Sequence, residues 1–243
     1  MKKEKKIQKI ILLIKGEDKE RDLNAVEFLQ MIHLLKLHYI WDDYKKIKRI
    51  KNPKYEVKKI EEEFLLGTSK AGENWMRKQV YGETILFQGI SFFQKVCKDW
   101  FQIGLIYSPK RLNHFKEKEI KIGAILEKEN LRLGISELII EKINFNDISE
   151  INKNFEKVFG ISLFNNKKEK RKIVELMEHR HIIAHNSSLT DKKFLETLKK
   201  DSLGINQFVG VKLKDLDFLL KFINKKSSLL SHSIRKIING SQK

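Results

Sequence analysis

Apolar residues recur along this chain at three- and four-residue steps, and alternation at every second position is rare, so the pattern predicts helices almost throughout. Residues 3–14 read as a basic amphipathic helix or a loose arm. A long helix is predicted over Leu23–Ile50. Its middle, Phe28 to Leu37, is apolar on nearly all sides, which implies burial against several neighbours or a dimer surface. His33 and His38 within it read as ordinary packing or surface histidines. Asn52-Pro53 breaks the helix, and a second helix follows over about Tyr55–Leu66. The loop Gly67–Asn74 has two glycines at phosphate-loop spacing. It lacks the Lys and Ser/Thr after the second glycine and follows a helix rather than a strand, so it is rejected as a phosphate loop.

The next helix is predicted over about Trp75–Ile106, with Ile85, Leu86, Ile90, Phe93, Val96, Trp100, Phe101 and Ile103 as its apolar positions. Aromatics at that spacing indicate core rather than a base-stacking platform. Ser108-Pro109 ends it, and Lys110–Lys121 is a charged connector or short helix. Further helices are expected over Ile122–Ile143, from an Asp147 or Ser149 cap to Val158, and over about residues 167–186, opened by Asn165-Asn166. Another runs from a Thr190 or Asp191 cap to about Lys200. Gly204–Val211 is irregular or briefly extended, and a final helix over Leu213–Ile238 carries a continuous apolar face. The fold class is all-α, with a helical extension over residues 1–72 and the main helical bundle over residues 73–243.

Composition narrows the function. The 243 residues suffice for one good-sized core, and 41% apolar with 34% charged residues fits a soluble globular chain. Fifty basic against 32 acidic residues leave a net charge of +18, which favours polyanionic partners, nucleic acid before anionic membrane. Outside the helix at 167–186, a lysine-rich solubilising surface accounts for the lysines equally well. The one cysteine, Cys97, excludes an intramolecular disulfide and fits a reducing compartment. It lies in an apolar run and reads as a buried, inert thiol. No stretch approaches the ~20 apolar residues of a membrane span. Lys2–Lys6 before Ile10–Ile14 imitates a signal peptide, but the apolar part is too short and no small-residue cleavage site follows. A cytoplasmic protein is expected.

The candidate chemistry lies in Glu178-His179-Arg180-His181-Ile182-Ile183-Ala184-His185-Asn186. The steps 173→177→180→184 and 176→180→183 place Arg180 inside the apolar stripe of its helix. A guanidinium taken out of water needs compensation, from an acidic partner, a subunit interface or an anionic ligand. Glu178, His181 and His185 line a neighbouring face. Arg180 and His185 stand roughly 140° apart around the helix, so they converge only if the helix frays near His185 or if two copies meet. Asn186 tolerates the left-handed position that ends a helix. Lys167, Lys168, Lys170, Arg171 and Lys172 crowd the first turns, against the helix dipole. That placement favours phosphate binding, although a solvated charge run is the commoner origin of such a cluster. His181 and His185 are four apart, but the His-Glu-x-x-His arrangement is absent and Arg180 would repel a divalent ion, so no metal site is expected.

Arg180, the polar His181, three variable residues and His185 resemble the signature of the HEPN family, the higher eukaryotes and prokaryotes nucleotide-binding domains. The flanks, Phe145–Phe155 leading to Phe159-Gly160 and Thr190–Leu195 with the final helix, are similar to that family's prokaryotic members, over about residues 80–240. The resemblance implies a HEPN-like helical bundle and a cofactor-free, metal-independent endoribonuclease. Two copies would meet across a pseudo-twofold to make one site, so a homodimer is expected. RNA would be cut by 2′-hydroxyl attack into 2′,3′-cyclic phosphate and 5′-hydroxyl ends. His185 would serve as base or acid, with His181 as the second such group. Arg180 would grip phosphate oxygens, Asn186 would donate to phosphate or orient His185, and Glu178 would orient a histidine. The implied context is the toxic effector of a toxin–antitoxin or antiphage abortive-infection system, with an antitoxin or defence-system partner protein. The alternative is a non-catalytic module of similar fold that binds RNA, nucleotide or a partner. A third reading is a helical adaptor docking through Leu23–Ile50.

Overall fold

A computed structural model describes residues 15–46, 70–115, 130–199 and 204–240. The elements expected over residues 3–14 and Tyr55–Leu66, and Gly67–Ser69 of the expected loop, lie outside these residues, whereas Lys70–Asn74, expected in the same loop, begin a helix. The fold is all-α. Among the described residues the helices are α1 (Lys19–Lys46), α2 (Lys70–Tyr107), a 3-10 helix (Pro109–Phe115), α3 (Leu131–Glu141), α4 (Ile148–Phe159), α5 (Lys167–Asn186), α6 (Lys192–Leu198) and α7 (Leu213–Gly240). Extended structure among them is limited to an isolated antiparallel bridge between Leu189 and Phe208. Two compact units divide the chain. One comprises Met1–Leu34, Ser91–Ile173 and Phe222–Lys243, the other Leu35–Ile90 and Val174–Lys221. The expected division between residues 72 and 73 is a different partition, and the segment leading to it lies mostly outside the described residues.

The first unit is organised around Phe101. Its ring meets Phe155, Phe159, Phe115 and Phe145 edge-on, with centroids 5.0 to 6.3 Å apart. Each such pair contributes about 0.5–1.5 kcal/mol beyond simple burial. Gly104 leaves room for this cluster, since a Cβ there would lie 2.6 Å from the Phe159 ring. Of the connector or short helix expected over Lys110–Lys121, the described part is the short 3-10 helix, and its last residue, Phe115, is buried. The predicted helix Ile122–Ile143 is present as Leu131–Glu141, capped by the Asn130 side chain; residues 122–129 are outside the described ones. Asp147 is the cap of α4, accepting from the Ser149 and Glu150 amides, and Gly160 closes that helix in the left-handed conformation at φ 69°. Cys97 is fully buried; desolvation, and then the charge of Asp99, hold its thiol well above the ordinary range.

In the same unit Asn166 caps the start of α5, its Oδ1 accepting from the Glu169 amide at 2.8 Å. Lys226 is completely buried there, its Nζ 3.0 Å from Glu169 Oε2 and 3.2 Å from Asn165 Oδ1. Burial of this lysine is tolerated because the charge is paired and hydrogen-bonded.

Of the two outcomes expected for the middle of α1, burial against several neighbours or a dimer surface, the first is met on one side only. Leu23, Val26, Leu37, Trp41 and Tyr44 are buried, while Phe28, Met31, Leu35 and Tyr39 remain 43%, 49%, 61% and 72% exposed. The spacing of the exposed four, three then four then four residues, makes them a stripe of one helical face.

In the second unit Ile182, Phe194 and Leu198 form a buried cluster against which Leu195 and Val209 pack. Thr190 joins the strand-like segments: its amide donates to Gln207 O at 2.9 Å, and its carbonyl accepts from the Asn206 amide at 2.8 Å. Its hydroxyl donates to Gly204 O at 2.6 Å. Of the two expected caps of α6, Asp191 is the one used, accepting from the Phe194 amide.

Candidate functional site

The motif lies on the C-terminal half of α5, within the second unit. His179 is buried, its Nε2 2.7 Å from Val209 O and its ring 6.4 Å from Phe194. Those contacts give it a packing role.

Arg180 is half-buried, as its place in the stripe requires. Its guanidinium carbon sits 4.5 Å from the centroid of the Phe87 ring on α2. Its Nε is out of solvent contact and has no hydrogen-bond partner among the described residues. No ion pair to Arg180 occurs among the described residues either. Of the three compensations expected for this charge, an acidic partner is therefore absent among those residues. The π face of Phe87 supplies attraction of about 0.5–1 kcal/mol at this partly exposed site without neutralising the charge.

His181 is half-buried and His185 exposed, with ring centroids 4.7 Å apart and the planes tilted by 48°. The structure thus brings these two imidazoles together. It does not bring Arg180 to His185, because α5 stays helical through Asn186 and leaves them roughly 140° apart. Glu178 is half-buried, and its Oε2 has no hydrogen-bond partner among the described residues.

Asn186 differs from expectation in one respect. It is the last helical residue, and the left-handed positions fall on Ser187 and Ser188, at φ 49° and 65°. The Asn186 amide donates to Leu189 O at 2.7 Å, fastening the turn. Ser188 is buried; its amide donates to Ile182 O at 3.1 Å and its hydroxyl to Glu83 Oε1 at 2.5 Å. The same Glu83 oxygen accepts from Gln79 Nε2 at 2.7 Å.

The basic cluster of α5 occupies the half of the helix in the first unit. Lys167, Lys168 and Arg171 are exposed; Lys170 and Lys172 are half-buried. Among the described residues no group of three or more His, Cys, Asp or Glu side chains is arranged to hold a metal ion. No helix among them is long and apolar enough to cross a membrane.

Phe87 and Glu83 were not legible as site residues. Phe87 falls off the buried stripe of Leu86, Ile90 and Phe93 and is 37% exposed, so an aromatic unaccounted for by the core was the available signal. No family model, curated protein or solved structure matches the chain.

Proposed function

We propose that the chain is a metal-independent endoribonuclease of the HEPN type whose reacting groups are Arg180, His181 and His185. The observation that carries this reading is the half-buried Arg180 charge, held against a ring and left without an acidic partner among the described residues. A positive charge so placed is ready for an anion, and the planar guanidinium fork matches the non-bridging oxygens of a phosphate. The imidazole pair at 4.7 Å supplies two groups able to accept or donate a proton, and the net charge of +18 favours a polyanionic substrate.

In this reading one imidazole takes the proton of a ribose 2′-hydroxyl, and the 2′-oxygen attacks the adjacent phosphorus. The bond from phosphorus to the 5′-oxygen breaks, and an imidazolium protonates that leaving oxygen. Arg180 stabilises the charge on the five-coordinate phosphorus, a term that grows as the transition state forms. The products are a 2′,3′-cyclic phosphate and a 5′-hydroxyl. Because Arg180 and His185 diverge on an unbroken helix, a second copy is needed to bring an arginine and a histidine together, and the active form is a homodimer. A chain that stays monomeric would bind RNA without cutting it, the reading that the same divergence favours. The toxin or defence setting, with its antitoxin or effector partner, rests on the family resemblance alone.

End-group analysis tests the chemistry. Cut RNA should carry a 2′,3′-cyclic phosphate, and its free 5′-hydroxyls should accept a labelled phosphate directly, with no prior dephosphorylation. A single 2′-deoxy substitution at the cut site should abolish cleavage there. Products with 5′-phosphates, or cutting that ignores the 2′-deoxy substitution, would rule out this mechanism.

A further inference from the structure

We infer that Phe87 is the positioning residue for Arg180, holding the guanidinium plane against its ring so that the outer N–H donors face a phosphate of a nucleic-acid strand. The inference rests on the reading of Arg180 as the phosphate-receiving group and adds a residue that lies outside the Arg180–His185 motif.

The geometry points to the ring as the support. The guanidinium carbon lies 4.5 Å from the Phe87 centroid, inside the ~6 Å reach of a cation–π contact. Nε is buried with no acceptor among the described residues, so hydrogen bonding through that atom does not fix the side chain. A carboxylate in the same place would also hold the arginine, but it would neutralise the charge and take up the donors an anion needs. A ring does neither. Phe87 itself is 37% exposed, so its position is not dictated by burial in a core.

A second contact fixes the same stretch of α2 to the end of the motif helix. Gln79, Glu83 and Phe87 follow one another at four-residue steps, which puts them along one side of α2. Glu83 holds Ser188, the second of the two left-handed residues after α5, at 2.5 Å. One side of α2 therefore grips the motif at two points, the Arg180 side chain and the turn that follows His185. The registry of Phe87 beneath Arg180 is thereby tied to the Glu83–Ser188 side-chain contact four residues earlier on α2.

The test compares Phe87→Tyr and Phe87→Leu with wild type in the full chain, with circular dichroism to verify that each is folded. Three quantities are measured: the Arg180 side-chain Nε–H resonance in 15N-labelled protein, assigned by its loss in Arg180→Lys; affinity for a single-stranded DNA oligonucleotide, which lacks the 2′-hydroxyl; and cleavage of single-stranded RNA in EDTA. Phe87→Leu should return the Nε–H resonance to the position of exposed arginines and lower DNA affinity and RNA cleavage roughly tenfold. Phe87→Tyr should keep the resonance and restore both activities to within about twofold. A folded Phe87→Leu with wild-type resonance and wild-type affinity overturns the inference, as does Phe87→Tyr failing as badly as Phe87→Leu. Wild type that binds DNA but never cuts RNA defeats the nuclease reading, and the role of Phe87 is then decided by the resonance and the affinity. Wild type that binds no nucleic acid overturns both.

Discussion

Arg180 shows how a single residue can be worse for folding than its apolar substitute. Its Nε is buried without a partner among the described residues, at a cost of about 1–3 kcal/mol. The Phe87 ring returns about 0.5–1 kcal/mol of that at a partly exposed site. Arg180→Met keeps the length and apolar stem and removes both effects, so it should stabilise the chain by about 1 kcal/mol while abolishing activity. Urea denaturation checks this; a loss of stability would mean that the guanidinium is satisfied and structural. The position of Arg180 in the stripe was legible from residues 173 to 184, because helical periodicity depends only on nearby sequence. What holds it was not, because Phe87 is brought there from a distant helix and nothing local to either residue encodes the pairing.

At the scale of elements, local signals served well where a cap or a period decides the outcome. Asp147 caps α4 and Asp191 caps α6, both from side chains adjacent to the backbone they satisfy. They failed where tertiary contact decides. The middle of α1 has apolar residues on every side, yet only one side is covered among the described residues. Lys226 lies in a polar run, yet it is fully buried against Glu169 at the entry to α5. That pair anchors the N-terminal end of the motif helix. Glu169→Ala would strand the lysine charge away from water and should cost about 3–5 kcal/mol, measured by the denaturation midpoint, whereas replacing both partners, Glu169→Leu with Lys226→Met, should be near neutral. A double variant that loses as much as Glu169→Ala would show that the pair is worth more than an apolar contact of the same size.

For the whole molecule, the all-α class follows from periodicity repeated over the length of the chain, a signal that sums over many residues and tolerates local errors. The partition into two units was not legible, because α1, α2, α5 and α7 each contribute to both. A net charge of +18 acts at this scale too, drawing polyanions to the surface without choosing among them, so its contribution to binding should fade with salt. In the proposed reading, Arg180 and His185 are what would distinguish a nuclease from a basic helical protein that merely holds RNA. The deciding measurement is cleavage of single-stranded and transfer RNA in EDTA by wild type, Arg180→Ala and His185→Ala. The account predicts cutting by wild type that both substitutions abolish. Cutting that survives both would place the activity elsewhere, and a wild type that binds RNA without ever cutting it would contradict the nuclease reading.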